Sequence, residues 1–382
     1  MNQAIISGDV DSAILADQSP EEPTGDSMPW TRPLHGRGRI DLAGDVMSGR
    51  KTLVPDMDLN TALDIAGNWR SSHGYPLSII FASLRRRGKK IDDRALVASR
   101  SKRLPSVAVK LSRFPNMELS QMQDLGGCRA VLRNVNRVYK LVEYYNANPY
   151  QAIEFLKPKD YIKEPKPDGY RSYHLICRYQ GIHQDGAYKG LRIEIQIRSA
   201  MQHAWATAVE TIDAFTGQAL KTNISGDVTW KRFFSLMGSG IAVMEKQPLV
   251  PGTPENMDEL CTELRYVCAK LNIPNVFYGL SAGMNLTQDI KSKKGIYILT
   301  LDSEKRRTTA IGFPTVTRAD EHYLEMEKEN KSKPHIQTVM VKLDSIKELR
   351  RAYPGYYSDT KRFILLVESF CRMSQKAKQS QK

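Results

Sequence analysis

Cysteine is scarce in this chain of 382 residues. Cys128, Cys177, Cys261, Cys268 and Cys371 are the whole complement, an odd number without a C-x-x-C pair. Such spacing suggests neither a disulfide framework nor a zinc site. Long apolar runs are missing too: no stretch approaches the roughly 18 residues needed to span a bilayer. The N-terminus lacks the basic segment and apolar core of a secretory signal. A soluble cytoplasmic protein with no membrane partner is the expectation. Residues 1–31 hold no Lys or Arg, only Asp9, Asp11, Asp17, Glu21, Glu22 and Asp26 among charged side chains. Polar, acidic and punctuated by Pro and Gly, residues 1–36 read as a disordered tail. No internal repeat is present.

What remains is strongly basic. The chain carries a net charge of +14, and setting aside the six acids of the tail leaves about +20 on the rest. Polyanionic partners are favoured (nucleotides, RNA or an acidic protein), although a solvated basic surface has the same composition. A hydrophobic content of 41% supports packed cores, and the length predicts two domains.

From Asp58 to Arg87, apolar residues including Leu59, Leu63, Ala66, Trp69, Leu77, Ile80 and Leu84 recur at helical spacing. His73-Gly74-Tyr75-Pro76 divides them into two helices. A short helix is predicted over Val107–Arg113, a buried strand over Cys128–Leu132 and a helix over Asn134–Tyr145. The clearest strand is 188–198, where Leu191, Ile193, Ile195 and Ile197 alternate with Arg192, Glu194, Gln196 and Arg198. A helix follows over Met201–Phe215, and two more flank a Pro-rich loop at Gln247–Pro254. Around Lys291–Gly295 the pattern changes. Strands are predicted at 296–301, 308–312 and 336–343, and helices at 318–330 and 358–373, the last capped by Ser358 or Asp359. The predicted class is α+β: residues 37–290 as a main domain and residues 291–382 as a small α+β appendage.

Several segments could do chemistry. Lys159–His174, KDYIKEPKPDGYRSYH, carries Lys159, Lys163, Lys166, Arg171 and His174 with three tyrosines on a loop stiffened by Pro165 and Pro167. The Asp168-Gly169 turn completes a segment suited to holding a nucleobase over a phosphate site. Eleven Lys/Arg and only two acids lie between Arg85 and Arg113, among them Arg100, Lys102, Lys110 and Arg113. Like charges at helical spacing repel, and a triphosphate would relieve them; a solvated basic helix is the competing reading. Asp124 precedes a Gly126-Gly127 turn, where its carboxylate suits Mg²⁺ or merely an ordinary turn. Glu194 lies mid-strand and either lines a cleft with Asp124 or decorates an exposed edge. His203, Trp205 and Glu210 follow that strand; a hydrogen-bonded structural His and a core Trp are the simpler readings of the first two.

Taken in order, Arg100-x-Lys102, Ser106, Lys110-x-x-Arg113, QDLGGCRAV from Gln123, the Lys159–His174 loop and EIQIR from Glu194 resemble the nucleotide pyrophosphokinase domain of the RelA/SpoT family. The resemblance implies a nucleotidyltransferase-like mixed β-sheet flanked by helices. It implies transfer of pyrophosphate from ATP to a ribose 3′-hydroxyl. On that resemblance Arg100 and Arg129 would sandwich adenine. Lys102, Ser106, Lys110 and Arg113 would bind the ATP phosphates. Asp124 would hold Mg²⁺, with Glu194 assisting the metal or the attacking hydroxyl. Tyr170 would stack on the acceptor base beside Lys159, Lys166, His174 and Gln196. The chain has no His-Asp dipeptide, so the family's hydrolase is not expected. Asp168 and Tyr173 depart from the commoner Asn and Leu, which bears on the acceptor pocket.

Small alarmone synthetases usually end in tetramer-forming helices; this chain ends in the α+β unit with Tyr353-Pro354-Gly355-Tyr356-Tyr357. That arrangement looks like the CapRel group, toxic synthetases with a fused antitoxin-like domain. It implies modification of the tRNA 3′-CCA end, arrest of translation and activation by a phage structural (capsid) protein; the oligomeric state stays open, a monomer included. Tyr353 and Tyr356 could enter the slot between Arg100 and Arg129 and restrain the enzyme, or simply pack the turn. The alternatives are alarmone synthesis from free nucleotides, giving (p)ppGpp or (p)ppApp, and a catalytically dead RNA-binding module.

Overall fold

The computed structural model describes residues 30–52, 54–181, 186–216, 228–281, 285–289, 295–333, 335–343, 346–357 and 360–379. Most of the acidic tail, the Lys291–Lys294 transition and the Ser358/Asp359 cap lie outside the described residues. Trp30–Gly36, read from sequence as part of the tail, lie against the fold instead. The Trp30 ring meets Tyr75 edge-on at 6.0 Å, and Leu34 N donates to Asn68 Oδ1 at 3.0 Å.

Two helices open the chain, α1 (Arg37–Met47) and α2 (Leu59–Ser72), the second capped by Asp58, whose carboxylate accepts from Thr61 N at 2.7 Å. After the His73 junction come α3 (Gly74–Ile91), β1 (Leu96–Ser101), α4 (Leu104–Arg113), β2 (Gly126–Leu132) and α5 (Val135–Ala147). Asn134 caps α5 through Arg137 N. Two short strands, β3 (Ile153–Phe155) and β4 (Lys159–Asp160), precede β5 (Tyr173–Tyr179), β6 (Arg192–Ser199) and α6 (Ala200–Thr216). Helices α7 (Val228–Glu245), α8 (Met257–Lys270) and α9 (Ile273–Ser281) follow. The remainder forms β7 (Asn285–Asp289), β8 (Ile296–Asp302), β9 (Arg307–Phe313), α10 (Val316–Glu329), β10 (Ile336–Lys342), α11 (Ile346–Ala352), a 3-10 turn at Pro354–Tyr357 and α12 (Lys361–Gln379).

All ten described strands belong to one mixed sheet, ordered β3-β5-β6-β2-β1-β10-β8-β9-β7, with β4 on β5. The pair β2/β6 is parallel and places Gly127 opposite Glu194; β1 runs antiparallel to β2. The C-terminal strands do not form a sheet of their own. Strand β10 pairs with β1 at Ser99↔Lys342 and Arg100↔Val341 and carries the sheet onward. The main core lies between α1–α5 and one sheet face, and includes Ile80, Leu84, Leu111, Val138, Ile193, Ile195 and Ile197. On the other face Leu96, Ala98, Val131, Leu299, Val339 and Val341 pack with Tyr353. A helical core joins α6–α9 to Phe363 and Phe370 of α12. The final helix is thus built into the same core as α7 rather than into an appendage.

Candidate active site

A cleft of 1460 Å³ opens where the ends of β1, β2 and β6 meet α4, the 159–174 segment and α10. Strand β1 delivers Arg100 to it, and α4 presents Ser106, Lys110 and Arg113. The i, i+4, i+7 spacing of these three puts them on one helix face. The cationic stretch around Arg100 is therefore divided between strand and helix, not gathered on the helix that the charge density suggested.

Asp124, in the turn leading into β2, accepts from Lys102 Nζ at 2.8 Å and Lys110 Nζ at 2.9 Å. Burial alone would raise its pKa, but the two ammonium groups hold it well below the usual carboxylate range. At Gly126 a Cβ would lie 2.8 Å from Ile193 Cδ1, so a side chain there would have to displace the end of that isoleucine; β2 pairs with β6 directly beside it. That pairing brings Glu194 into the same cleft, near enough for the Asp124 charge to act on it. Glu194 Oε1 lies 2.8 Å from His174 Nδ1, and Oε2 accepts from Gln196 Nε2 at 2.7 Å. Against the opposing effect of burial, the His174 contact and the Gln196 amide bring the Glu194 pKa down to about 2.

Both carboxylates are thus ionised, and both residues line a polyanion-sized space. Mg²⁺ prefers one or two carboxylates with phosphate and water completing its shell. The donor set fits: Asp124 and Glu194 would hold the ion, and the lysines that now neutralise Asp124 would turn to phosphate. No cluster of three or more His, Cys, Asp or Glu suited to a metal occurs among the described residues, so a metal bound only by protein is not indicated.

The 159–174 segment is shaped by its surroundings as well as by its prolines. Gly169 has φ +94, and a Cβ there would come within 2.7 Å of Phe234 O. Ser235 Oγ donates to Pro167 O at 3.1 Å, and Trp205 Nε1 donates to Phe234 O at 2.9 Å, so α6 and α7 clamp the turn. Trp205 serves as core, as the simpler reading held. Asp168 Oδ1 accepts from Tyr170 N at 2.9 Å. The Tyr170 hydroxyl lies 2.8 Å from His174 Nε2 and accepts from Arg198 Nη2 at 2.8 Å. Lys166 Nζ sits 5.1 Å from the Tyr170 ring centre and 4.6 Å from that of Tyr161. Lys159, Tyr161, Lys166, Tyr170, His174 and Gln196 all line the cleft. So does Asp168, but Tyr173 does not: its ring turns away onto Tyr139, with ring centres 6.4 Å apart. Only one of the two unusual loop residues can therefore touch an acceptor.

Arg100 and Arg129 lie on one face of adjacent strands, because Ala98, two residues from Arg100, registers with Arg129. Diagonal neighbours of this kind are about 7–8 Å apart, room for one flat ring between two guanidinium planes. The Arg129 side of this slot is covered. Tyr353 lies with its ring centre 5.2 Å from the Arg129 guanidinium carbon, and its hydroxyl donates to Ser99 O at 3.1 Å. Arg129 is buried and also donates to Ala352 O, and burial pulls its pKa down to about 10. Tyr356 lines the cleft beyond, its carbonyl accepting from Thr308 Oγ1. His203 Nε2 lies 3.4 Å from Arg351 O, with burial and neighbouring Arg129 and Arg198 holding the ring neutral. Glu210, on α6, also lines the cleft and raises the pKa of Arg100 against the opposing effect of burial.

Sequence reasoning missed Arg198 and Glu327. Arg198 stood in plain view on the polar face of β6. Glu327 had no local signal; it accepts from Leu104 N, at the start of α4, at 2.7 Å and forms a buried ion pair with Arg70.

Residues 99–213, which carry Asp124, Glu194, Arg100, Lys102, Lys110 and Arg113, match the family model described as a region found in RelA / SpoT proteins. GTP pyrophosphokinase YjbM of Bacillus subtilis (strain 168) is 32% identical over 119 residues, 31% of this chain and 55% of that protein. GTP pyrophosphokinase YwaC of the same organism is 31% identical over 114 residues, 28% of this chain and 53% of that protein. The chain thus spans about half the length of the curated relatives it matches. Among solved structures, small alarmone synthetase 1 from Bacillus subtilis bound to its product pppGpp aligns over 46% of this chain and 89% of that one, at 23% identity and a TM-score of 0.39.

Proposed function

We propose that the chain is an ATP-dependent pyrophosphokinase that transfers the terminal pyrophosphate of ATP to a ribose 3′-hydroxyl, breaking the bond between the α and β phosphates and releasing AMP. The observation that carries this reading is the convergence of two ionised carboxylates and the α4 cations on one cleft. Lys102, Lys110 and Arg113, with Ser106, would bind the triphosphate, and Arg100 with Arg129 would flank the adenine. Phosphoryl transfer asks chiefly for positioning and charge neutralisation, which this set of groups supplies. Mg²⁺ at Asp124 and Glu194 would neutralise developing charge on the phosphates. Tyr170 would stack on the acceptor base, with Lys159, Lys166, His174 and Gln196 beside it.

For the acceptor we favour the tRNA 3′-CCA end. The large positive charge outside the acidic tail and the open, lysine-lined side of the cleft support a polyanion. In this reading residues 37–290 form the toxic enzyme and residues 291–382 restrain it, Tyr353 standing where adenine would lie and Tyr356 next to it. A phage structural protein that binds residues 291–382 would withdraw that cover and arrest translation in the infected cell. The second reading, alarmone synthesis from free GDP, GTP or AMP, is favoured by the similarity to the two GTP pyrophosphokinases.

One panel separates the readings. ATP labelled at the γ-phosphate is offered with bulk tRNA, GDP, GTP and AMP, using both wild type and Tyr353→Ala. Label on tRNA alone supports the first reading and label on a mononucleotide the second. No transfer to any acceptor by either protein refutes the enzyme.

A further inference from the structure

Strand β6 carries a row of four polar side chains, Arg192, Glu194, Gln196 and Arg198; the first three line the cleft, while Arg198 is buried and donates to Tyr170 and Gln196. The function proposed above uses Glu194 and Gln196 and leaves Arg192 without a task. Arg192 Nη1 donates to Gln121 O at 3.0 Å. The residue stands directly opposite Arg178 of β5, a position in which like charges repel. Arg178 is offset by Glu154, whose Oε2 lies 3.1 Å from Arg178 Nη1. Arg192 has no such relief. Burial and the Arg178 and Arg37 charges all act against its positive form, and among the described residues no acid pairs with it. A cation held in a cleft wall on these terms is stabilised by an anion that enters the cleft.

The row also has a direction. Alternate residues of a strand share a face and stand about 6.5 Å apart. His174 and Gln196 are register partners at one end, with the Tyr170 hydroxyl 2.8 Å from His174 Nε2. Ile176 and Glu194 pair next, and Arg178 and Arg192 after them. A nucleotide has the same order. Its base, 3′-hydroxyl and 5′-phosphate leave the ribose at C1′, C3′ and C4′ in turn, the last through C5′. With the base on Tyr170 and the 3′-hydroxyl at Glu194, the 5′-phosphate extends along β6 toward Arg192. Ile176 also lines the cleft and gives the ribose an apolar floor opposite Glu194. Lys159 and Lys166 stand at the base end of the row: Lys159 registers with His174, and Lys166 Nζ lies over the Tyr161 and Tyr170 rings.

We propose that Arg192 binds the 5′-phosphate of the acceptor nucleotide, so that β6 measures the acceptor from base to phosphate and sets its 3′-hydroxyl at Glu194. The ligand is a phosphate ester in either case, the last phosphodiester of an RNA 3′ end or the 5′-phosphate of a free nucleotide. This assignment rests on the function proposed above; the α4 cations serve the ATP phosphates, and Arg192 serves the other substrate.

The test removes the arginine and the acceptor's charge separately and together. Full-length protein, in whichever of the wild-type and Tyr353→Ala forms transfers label, is compared with the same protein carrying Arg192→Met. If tRNA is labelled, the acceptors are tRNA with its natural last linkage and tRNA with a neutral methylphosphonate there. If a mononucleotide is labelled, they are that nucleotide and its nucleoside. With Arg192 present, loss of the acceptor charge should raise acceptor KM about tenfold or more. With Arg192→Met the same loss should raise it no more than about threefold, because the two groups meet in one contact. KM for ATP should stay within about twofold, and saturating acceptor should restore turnover to within about threefold. An undiminished penalty in Arg192→Met, a rise in ATP KM as large as that for the acceptor, or a folded Arg192→Met that transfers nothing overturns the site. So does a penalty abolished by Lys166→Met but not by Arg192→Met. Should Arg192→Met fail to fold, Arg192→Gln, which keeps a donor for Gln121 O without the charge, is read by the same criteria. No label from the Arg192-bearing protein removes the proposed function and this site together, whereas label without the coupling removes this site alone.

Discussion

Removing the Tyr353 ring is the perturbation with the most calculable consequence. The ring is buried, lies 5.2 Å from the Arg129 guanidinium carbon and donates its hydroxyl to Ser99 O at 3.1 Å. Burying a large side chain contributes about 1.5–3 kcal/mol. The cation–π contact adds about 0.5–2 kcal/mol, and the hydrogen bond about 1 kcal/mol. The covered state is therefore favoured by roughly 3–6 kcal/mol through this residue. When only the uncovered fraction binds, apparent affinity scales with that fraction, and each 1.4 kcal/mol is tenfold. Tyr353→Ala should then tighten binding of a non-hydrolysable ATP analogue by about 100-fold or more, until the open form dominates. Tyr353→Phe loses only the hydrogen bond and should tighten it by about fivefold. Calorimetric titration of each variant, with thermal melts to check integrity, gives the comparison. Wild-type affinity in a stably folded Tyr353→Ala, or equal gains for Ala and Phe, would refute the idea that the ring competes with a nucleotide.

Four further outcomes are expected. Asp124→Asn and Glu194→Gln should each lower transfer from ATP by at least about 100-fold without unfolding the protein, since each removes charge from the site where phosphate charge develops; near-normal label transfer in either removes the assigned centre. Glu327→Met strands the fully buried Arg70 guanidinium and should destabilise the fold by about 3–5 kcal/mol in urea titrations, whereas Arg70→Met/Glu327→Met should be milder; a double variant as unstable as the single one contradicts this. Burial raises Asp320 to about 7 despite the nearby Arg70 charge, so the fold binds that proton more tightly than the unfolded chain does. Its contribution is therefore full below the ordinary carboxylate value and lost as pH rises to about 7, and Asp320→Asn should flatten the urea midpoint between about pH 4 and 7, the interval between the unfolded and folded values. Glu194, held down to about 2, acts oppositely: its stabilisation is full above the ordinary carboxylate range and is lost as pH falls toward 2, a loss that Glu194→Gln should abolish.

Where one face is apolar and the other polar, the strand could be read from its alternation. Ile193, Ile195 and Ile197 alternate with polar neighbours in β6, which begins at Arg192, later than the predicted start at 188, and ends at Ser199. Helices α2 and α5 begin at side-chain caps, Asp58 and Asn134, which carry their own signal. Strands β1 and β5 were missed for the opposite reason. Leu96–Ser99 and His174–Cys177 are buried on both faces, so no period-2 pattern marks them, and the arginines around β1 suggested a helix instead. Asp124, Glu194 and Tyr170 could be picked out because their segments carry turn and strand chemistry. Glu327 on Arg70 joins residues more than two hundred positions apart, and local pattern does not encode such a pair; Tyr353 on Arg129 is as distant and enters the sequence reading only as one of two alternatives, through the resemblance and the cation–π chemistry of the slot. Arg198 shows a further limit: alternation marks it as polar-faced, yet its guanidinium is buried and donates to Tyr170 and Gln196.

The way the C-terminal segment is attached limits how any cover over the slot could move. Strand β10 is hydrogen-bonded to β1, the strand that bears Arg100, and Phe363 and Phe370 of α12 fill the core beside α7. Arg103 donates to Gln337 Oε1 at 3.0 Å, and Arg70 and Glu327 pin α10 to α2. Swinging the whole segment away would break the sheet, open a hydrophobic core and strand a buried charge, each costing several kcal/mol. Between β10 and α12, the seven-residue α11 and the Pro354–Tyr357 turn hold on without strand pairing: by Leu349, Ala352 and the Tyr353 ring packed on the sheet, the Ala352 carbonyl on Arg129, the Arg351 carbonyl beside His203 and Thr308 on the Tyr356 carbonyl. Uncovering of the Arg100–Arg129 slot should therefore be local, a lifting of residues 346–357 with the sheet intact. Hydrogen exchange discriminates the two motions. Addition of an ATP analogue to Tyr353→Ala should leave the β10 amides paired with β1 as protected as before and change only those of 346–357; loss of protection along β10 would mean that the segment leaves as a body.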